Sequence, residues 1–163
     1  MSIPAAGTLI DLHKAIRARL ALVAAAFWGL QTKLAYPLNT REPTVHDGWL
    51  PPKLGPDDEQ FPFLIVRPRS GVDSPQGADQ DSRATVEIIA GTYSDTDDGW
   101  HDALLLIDAI RQSLAGSPVL ADTPFEHTGP LTWDLPADQP RPQWLATITT
   151  TWTLPRPRRE SED

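Results

Sequence analysis

The run Trp144-Leu-Ala-Thr-Ile-Thr-Thr-Thr-Trp-Thr-Leu-Pro155 constrains the chain more than any other part. Strand side chains point alternately to opposite faces. That places Trp144, Ala146, Ile148, Thr150, Trp152 and Leu154 on one face, and Leu145, Thr147, Thr149, Thr151 and Thr153 on the other. The run therefore predicts a strand with one greasy face and one threonine face. Leu131, Trp133 and Leu135 precede it in the same period. Together the two segments predict an antiparallel meander in a sheet that covers a core. A threonine face is wettable and flat, which suits contact with a neighbouring subunit.

Upstream, Leu9, Leu12, Ile16, Leu20, Val23 and Phe27 recur at spacings of three and four, the mark of a buried helical stripe. Thr8 is its expected N-cap, with Asp11 completing a weak capping box, and Gly29 is its expected stop. Residues 36–60 hold Pro37, Pro43, Pro51, Pro52 and Pro56 with Gly48 and Gly55, which allows no regular structure beyond a short edge strand. A loop of that length is a candidate for wrapping a partner. Phe61 to Arg69 reads as a buried strand that Pro62 and Pro68 confine to an edge or to the ends of its pairing. Residues 70–81 read as a hairpin loop, and Ala84 to Ser94 as a central second strand, with Val86, Ile88 and Ala90 opposite Glu87, Ile89 and Tyr93. Asp95-Thr-Asp-Asp-Gly99 leads into a helix from Trp100 to Leu114, capped by Asp97 or Asp98 and closed by Gly116 before Pro118.

The expected fold is α+β: a mainly antiparallel four-stranded sheet, β-β-α-β-β after an N-terminal helix, with two helices on one face. Residues 1–155 form a single domain and 156–163 a flexible charged tail. The 163 residues suffice for one core. With no cysteine the chain has no disulfide, thiolate nucleophile or cysteine zinc site. The longest apolar stretch, Leu20 to Leu30, is about half of a bilayer span, so the expectation is a soluble protein without membrane contact, made in the cytoplasm.

The formal charge of −8 argues against a nucleic-acid binder that grips phosphates with a basic face. Residues 73–108 hold nine acids against Arg83 alone, while residues 11–33 run the other way, with Lys14, Arg17, Arg19 and Lys33 against Asp11. These opposite blocks suggest docking head to tail between copies.

The residues offer no catalytic constellation. His101 and Asp102 are helix neighbours that do not face each other, and His13, His46, His101 and His127 lack the spacing of a helical metal site. Asp95, Asp97 and Asp98 resemble the start of a calcium loop, but Leu106 stands where a ligating Glu is needed. No phosphate loop or nucleophile elbow occurs, so neither a cofactor nor a metal is expected. Of the six tryptophans, Trp100, Trp133, Trp144 and Trp152 fall on inferred core faces, leaving Trp28 and Trp49 as possible interface anchors.

Across residues 61–155 the chain resembles the tail terminator, or tail completion, proteins of long-tailed bacteriophages. The resemblance is carried by Gly91-Thr-Tyr-Ser94, Gly99-Trp100, Leu104, Leu106-Ile107, Ile110-Arg111, Pro118-Val119-Leu120, Leu131 to Pro136, Asp138-Gln-Pro140, Pro142, Trp144 and Thr150 to Pro155. It implies a non-enzymatic structural protein of the virion tail. Such a protein forms a homo-oligomeric ring, commonly a hexamer, on the head-proximal end of the tail tube protein. There it ends polymerisation and offers the surface that a head-tail connector or neck protein joins. DNA passes through the lumen without specific binding. The alternatives are a connector or neck protein, a tail tube subunit, or a small hydrolase using His101. The candidate oligomer interface comprises Arg67 and Arg69 at a strand end, Asp95 and Asp97 in the acidic turn, Thr147, Thr149 and Thr151 on the exposed face, and Trp49.

Overall fold

The structure, a computed structural model, describes residues 8–31, 41–53, 55, 60–75 and 81–155. The charged tail at 156–163, part of the Pro-rich arm (36–40, 54 and 56–59) and the hairpin tip at 76–80 lie outside the described residues.

Helix α1 (Leu9–Gln31) begins at the anticipated capping box. The Asp11 amide donates to Thr8 Oγ1 at 3.1 Å and the Thr8 amide to Asp11 Oδ2 at 3.1 Å, so two amide donors are satisfied reciprocally. The helix runs two residues past Gly29. Strands β1 (Thr44–Asp47), β2 (Phe63–Val72) and β3 (Ser82–Tyr93) follow, then α2 (Trp100–Gly116), β4 (Thr132–Asp134) and β5 (Gln143–Leu154). The class is α+β, but the sheet has five strands in the order β1-β2-β3-β5-β4, and β1 pairs with β2 in parallel. The anticipated four antiparallel strands are thus joined by one from the Pro-rich arm. Thr44-Val-His-Asp47 is too short a run to show a period.

Strand β1 also moves β2 away from the edge, and of the two expected placements it is the ends of the pairing that Pro62 and Pro68 occupy. Pairing with β1 covers only Phe63 to Val66, and Pro68 lies beyond it at an irregularity in the β2–β3 ladder. A proline there removes no donor from the β1 side. The other short strand, β4, is narrower than Leu131 to Leu135.

Both helices pack on one sheet face and share a single core. Leu12, Ile16, Leu20, Val23 and Phe27 of α1 meet Ala103, Leu106, Ile107, Ile110 and Leu114 of α2 over Leu64, Val66, Val86, Ile88, Ala146, Ile148 and Trp152. Trp144 and Trp152 are buried as anticipated, but Trp100 is exposed and Trp133 is 52% exposed. Trp133 does point to the helix side, opposite Ile148, yet β4 is the last strand and its apolar partner surface runs out there.

Neither Asp97 nor Asp98 caps α2. Gly99 holds the N-cap position with no side-chain bond. A Cβ at Gly99 would overlap the Trp144 indole, whose N–H donates to Ser94 O at 3.1 Å, so the turn is closed by packing.

Candidate assembly surface

The helices leave the second sheet face without a helix among the described residues. Register places Phe63, Ile65 and Arg67 of β2 beside Gly91, Ile89 and Glu87 of β3. These lie beside Leu145, Thr147 and Thr149 of β5. Thr151 and Thr132 extend the threonine patch, with Thr132 directly opposite Thr149 on β4. Thr147, Thr149 and Thr151 are half-buried, whereas Thr132 on the edge strand β4 is exposed.

At the centre Glu87 receives two arginines. Arg69 Nη1 donates to Glu87 Oε2, and Arg67 Nη1 stands 3.8 Å from Oε1. Arg67 Nε also donates to Gly48 O at 2.8 Å, and its guanidinium lies 5.4 Å from the centre of the Trp49 ring. Gly48 turns the chain at a φ of 70°, a left-handed conformation that favours glycine. Its amide donates to Val66 O at 2.8 Å. Trp49 is thereby presented on a fixed turn while 73% exposed. Aromatic and arginine side chains with few other charges are the composition that protein interfaces favour.

An aromatic cluster borders this patch. Phe61 and Phe63 have ring centres 4.9 Å apart, with His46 and Tyr93 at 6.4 Å from Phe63 and Phe61 respectively. Gly91 provides the floor, since a Cβ there would enter the Phe63 ring. Gly91→Ala is expected to push Phe63 outward and cost about 1–3 kcal/mol by overpacking. A urea-unfolding midpoint indistinguishable from the parent protein would show that the ring moves freely.

Of the residues singled out from sequence, Trp49, Arg67, Arg69, Thr147, Thr149 and Thr151 therefore share one face. Asp95 and Asp97 do not; they lie in the turn between β3 and α2, where Asp97 is 3.6 Å from Arg141 Nη1. Glu87, Phe61, Phe63 and Leu145 were not singled out. The alternation Phe63, Ile65, Arg67, Arg69 carried the signal, because one face changes there from apolar to basic.

Two cations of the expected basic block, Arg17 and Arg19, are engaged within the chain, while Lys14 is exposed and Lys33 lies outside the described residues. Arg17 pairs with Asp47 at 2.9 Å, and His13 Nε2 shares that carboxylate at 2.7 Å. Arg19 donates to Ser117 O at 2.7 Å and Val119 O at 3.2 Å, closing the end of α2. These cations are engaged inside the chain.

Among the described residues the geometry does not pair His101 with Asp102. His101 is exposed against Trp100, while Asp102, the next residue and about 100° further round α2, is buried. Burial pushes the Asp102 carboxyl up to about 6, with a smaller opposing effect from His101. A cavity of about 360 Å³ between α1 and residues 120–125 is walled by Ala15, Ala18, Leu22, Leu120 and Phe125, with Asp11, Lys14 and Arg19 also lining it. Its Thr123 hydroxyl already donates to Leu120 O at 2.8 Å. Among the described residues no group of three His, Asp or Glu could hold a metal, and no helix is long and apolar enough to cross a membrane. Comparison with models of known protein families and with curated proteins finds no match.

Proposed function

We propose that this protein is a structural subunit of a bacteriophage tail, assembling with copies of itself into a ring that caps the head-proximal end of the tail tube. The ring stops polymerisation of the tube protein and provides the surface to which the head-tail connector or neck protein attaches. It performs no chemistry. The observation that carries the reading is the helix-free sheet face, where Trp49, Arg67 and a threonine patch form a preorganised, interface-like surface. The sequence resemblance over residues 61–155 supplies the identity of the assembly. A net charge of −8 suits a lumen through which DNA slides, since like charge repels the phosphates.

Light scattering over a range of concentrations, followed by negative-stain imaging of the same sample, tests this. A hexamer of the 17.9 kDa chain has a mass of about 107 kDa. Discrete rings of about that size, or monomers that form rings only on added tail tubes, are the expected result. Open-ended cylinders would instead identify a tube subunit, and a monomer indifferent to tubes would remove the proposal.

A further inference from the structure

We infer that the helix-free sheet face of one copy receives the acidic turn, Asp95 to Asp98, of the next copy. This deepens the ring reading and rests on it. The strands of this face carry Arg67, Arg69 and Arg83 against Glu87 and Asp134, a small excess of positive charge in a chain whose formal charge is −8. The turn carries Asp95, Asp97 and Asp98, all exposed, with Arg141 as the one cation paired there among the described residues. Asp97 has almost no contact with its own chain, its side chain being 99% exposed.

The two patches do not serve each other within one molecule. Glu87, which marks the arginine cluster, lies six residues before Tyr93 on β3, and the acidic turn begins only after Ser94. At a strand rise of about 3.3 Å per residue, that separates them by roughly 20 Å. At physiological salt the Debye length is about 8 Å, so their attraction within the chain is largely screened. Between copies they can approach to contact.

A twofold face-to-face arrangement would place one arginine-rich cluster on another. Seating the acidic turn there instead pairs opposite charges, while the threonine hydroxyls beside Glu87 supply donors to carboxylate or carbonyl oxygens. The contact joins different patches on the two copies. It is therefore heterologous, the kind that closes into a ring when the rotation allows. The exposed edge of β2 beyond Val66 is a poorer docking element, because Pro68, the ladder irregularity and Arg69 discourage strand addition.

The test is a charge-exchange cycle on the full-length chain, with self-association followed by sedimentation equilibrium at fixed ionic strength. Arg69→Glu and Asp97→Arg each change exposed side chains and are expected to weaken association about tenfold or more. The double variant exchanges the two signs and is expected to return to within about threefold of the parent, the non-additivity that identifies a direct pair. Asp108→Arg makes the same charge change on α2, away from the turn, and is expected to leave association unaltered. Additive losses in the double variant, parent-like single variants, or an equal loss from Asp108→Arg would each overturn the pairing while rings of the parent protein left the ring reading standing. A parent that associates neither with itself nor on tubes would remove both.

Discussion

Replacing Trp152 with alanine is expected to cost about 3–5 kcal/mol, the range for losing a large aromatic side chain from a packed core. The indole is fully buried beneath the helices, on β5 opposite Ala84 of β3. Ala84, the partner across the ladder, leaves room for the indole and is too small to fill the space after truncation. Its N–H donates to Thr150 Oγ1 at 2.8 Å, and that hydroxyl donates to Val86 O at 2.8 Å. The His127 ring stands edge-on to it at 5.4 Å, anchoring the segment between α2 and β4 on β5. Trp152→Phe retains an aromatic ring but removes the donor, and a loss nearer about 1 kcal/mol is expected for that bond. Urea unfolding of both variants separates the contributions. If the alanine variant lost less than the phenylalanine variant, the packing account would fail. Should the alanine protein not fold, a parent-like midpoint for Trp152→Phe would still refute the role of the N–H bond.

The residues of β5 show why so much of this core is legible in the sequence. Trp144, Ala146, Ile148, Thr150 and Trp152 all face the core, and a twelve-residue strand gives the two-residue period ample length to register. The stripe of α1 is equally plain, as six apolar positions repeat at helical spacing and all are buried but Leu9, in the first turn. Short elements are less legible for the converse reason: the expected sheet does not count β1, and β4, anticipated from Leu131, Trp133 and Leu135, is shorter than that span. Strand β1 offers four residues and β4 three, and each is held by its neighbour's hydrogen bonds rather than by its own pattern.

Charge was less legible than hydropathy because formal charges do not report their partners. Arg17 and Arg19 look like a basic docking surface until Asp47 and the carbonyls after α2 are brought to them across 30 and 98 residues of chain. Arg67 and Arg69 converge on Glu87 across the β2–β3 ladder, so alternation could place them on one face but not supply the common carboxylate. Trp49 was legible as a candidate anchor, whereas its stack on Arg67 depends on the Gly48 turn and the register of β1. Local period therefore specified faces. Long-range pairing specified which charges remain available.

Asp102 is the buried acid whose removal is expected to stabilise the fold. Its side chain is turned into the protein in the first turn of α2, with the residue 3% exposed, and desolvation lifts its pKa from 3.8 to about 6. An acid whose folded pKa is raised binds its proton more tightly in the folded chain. Its contribution is fully present below pH 3.8 and is lost as pH rises through about 6. Asp102→Asn keeps a neutral group of nearly the same shape at every pH. The stability difference between variant and parent should therefore grow from little near pH 4 to at most about 3 kcal/mol at pH 7, where favourable interaction of the carboxylate with the helix dipole reduces it. His46 and His127 act in the other direction: burial lowers the pKa of each, so protonating them as pH falls below 6.5 costs stability in both proteins. Subtracting the two stability–pH curves removes those histidines and leaves Asp102 alone. A flat difference curve between pH 4 and 7 would show that the carboxyl reaches solvent or a cation when ionised, and the proposed desolvation cost would be wrong.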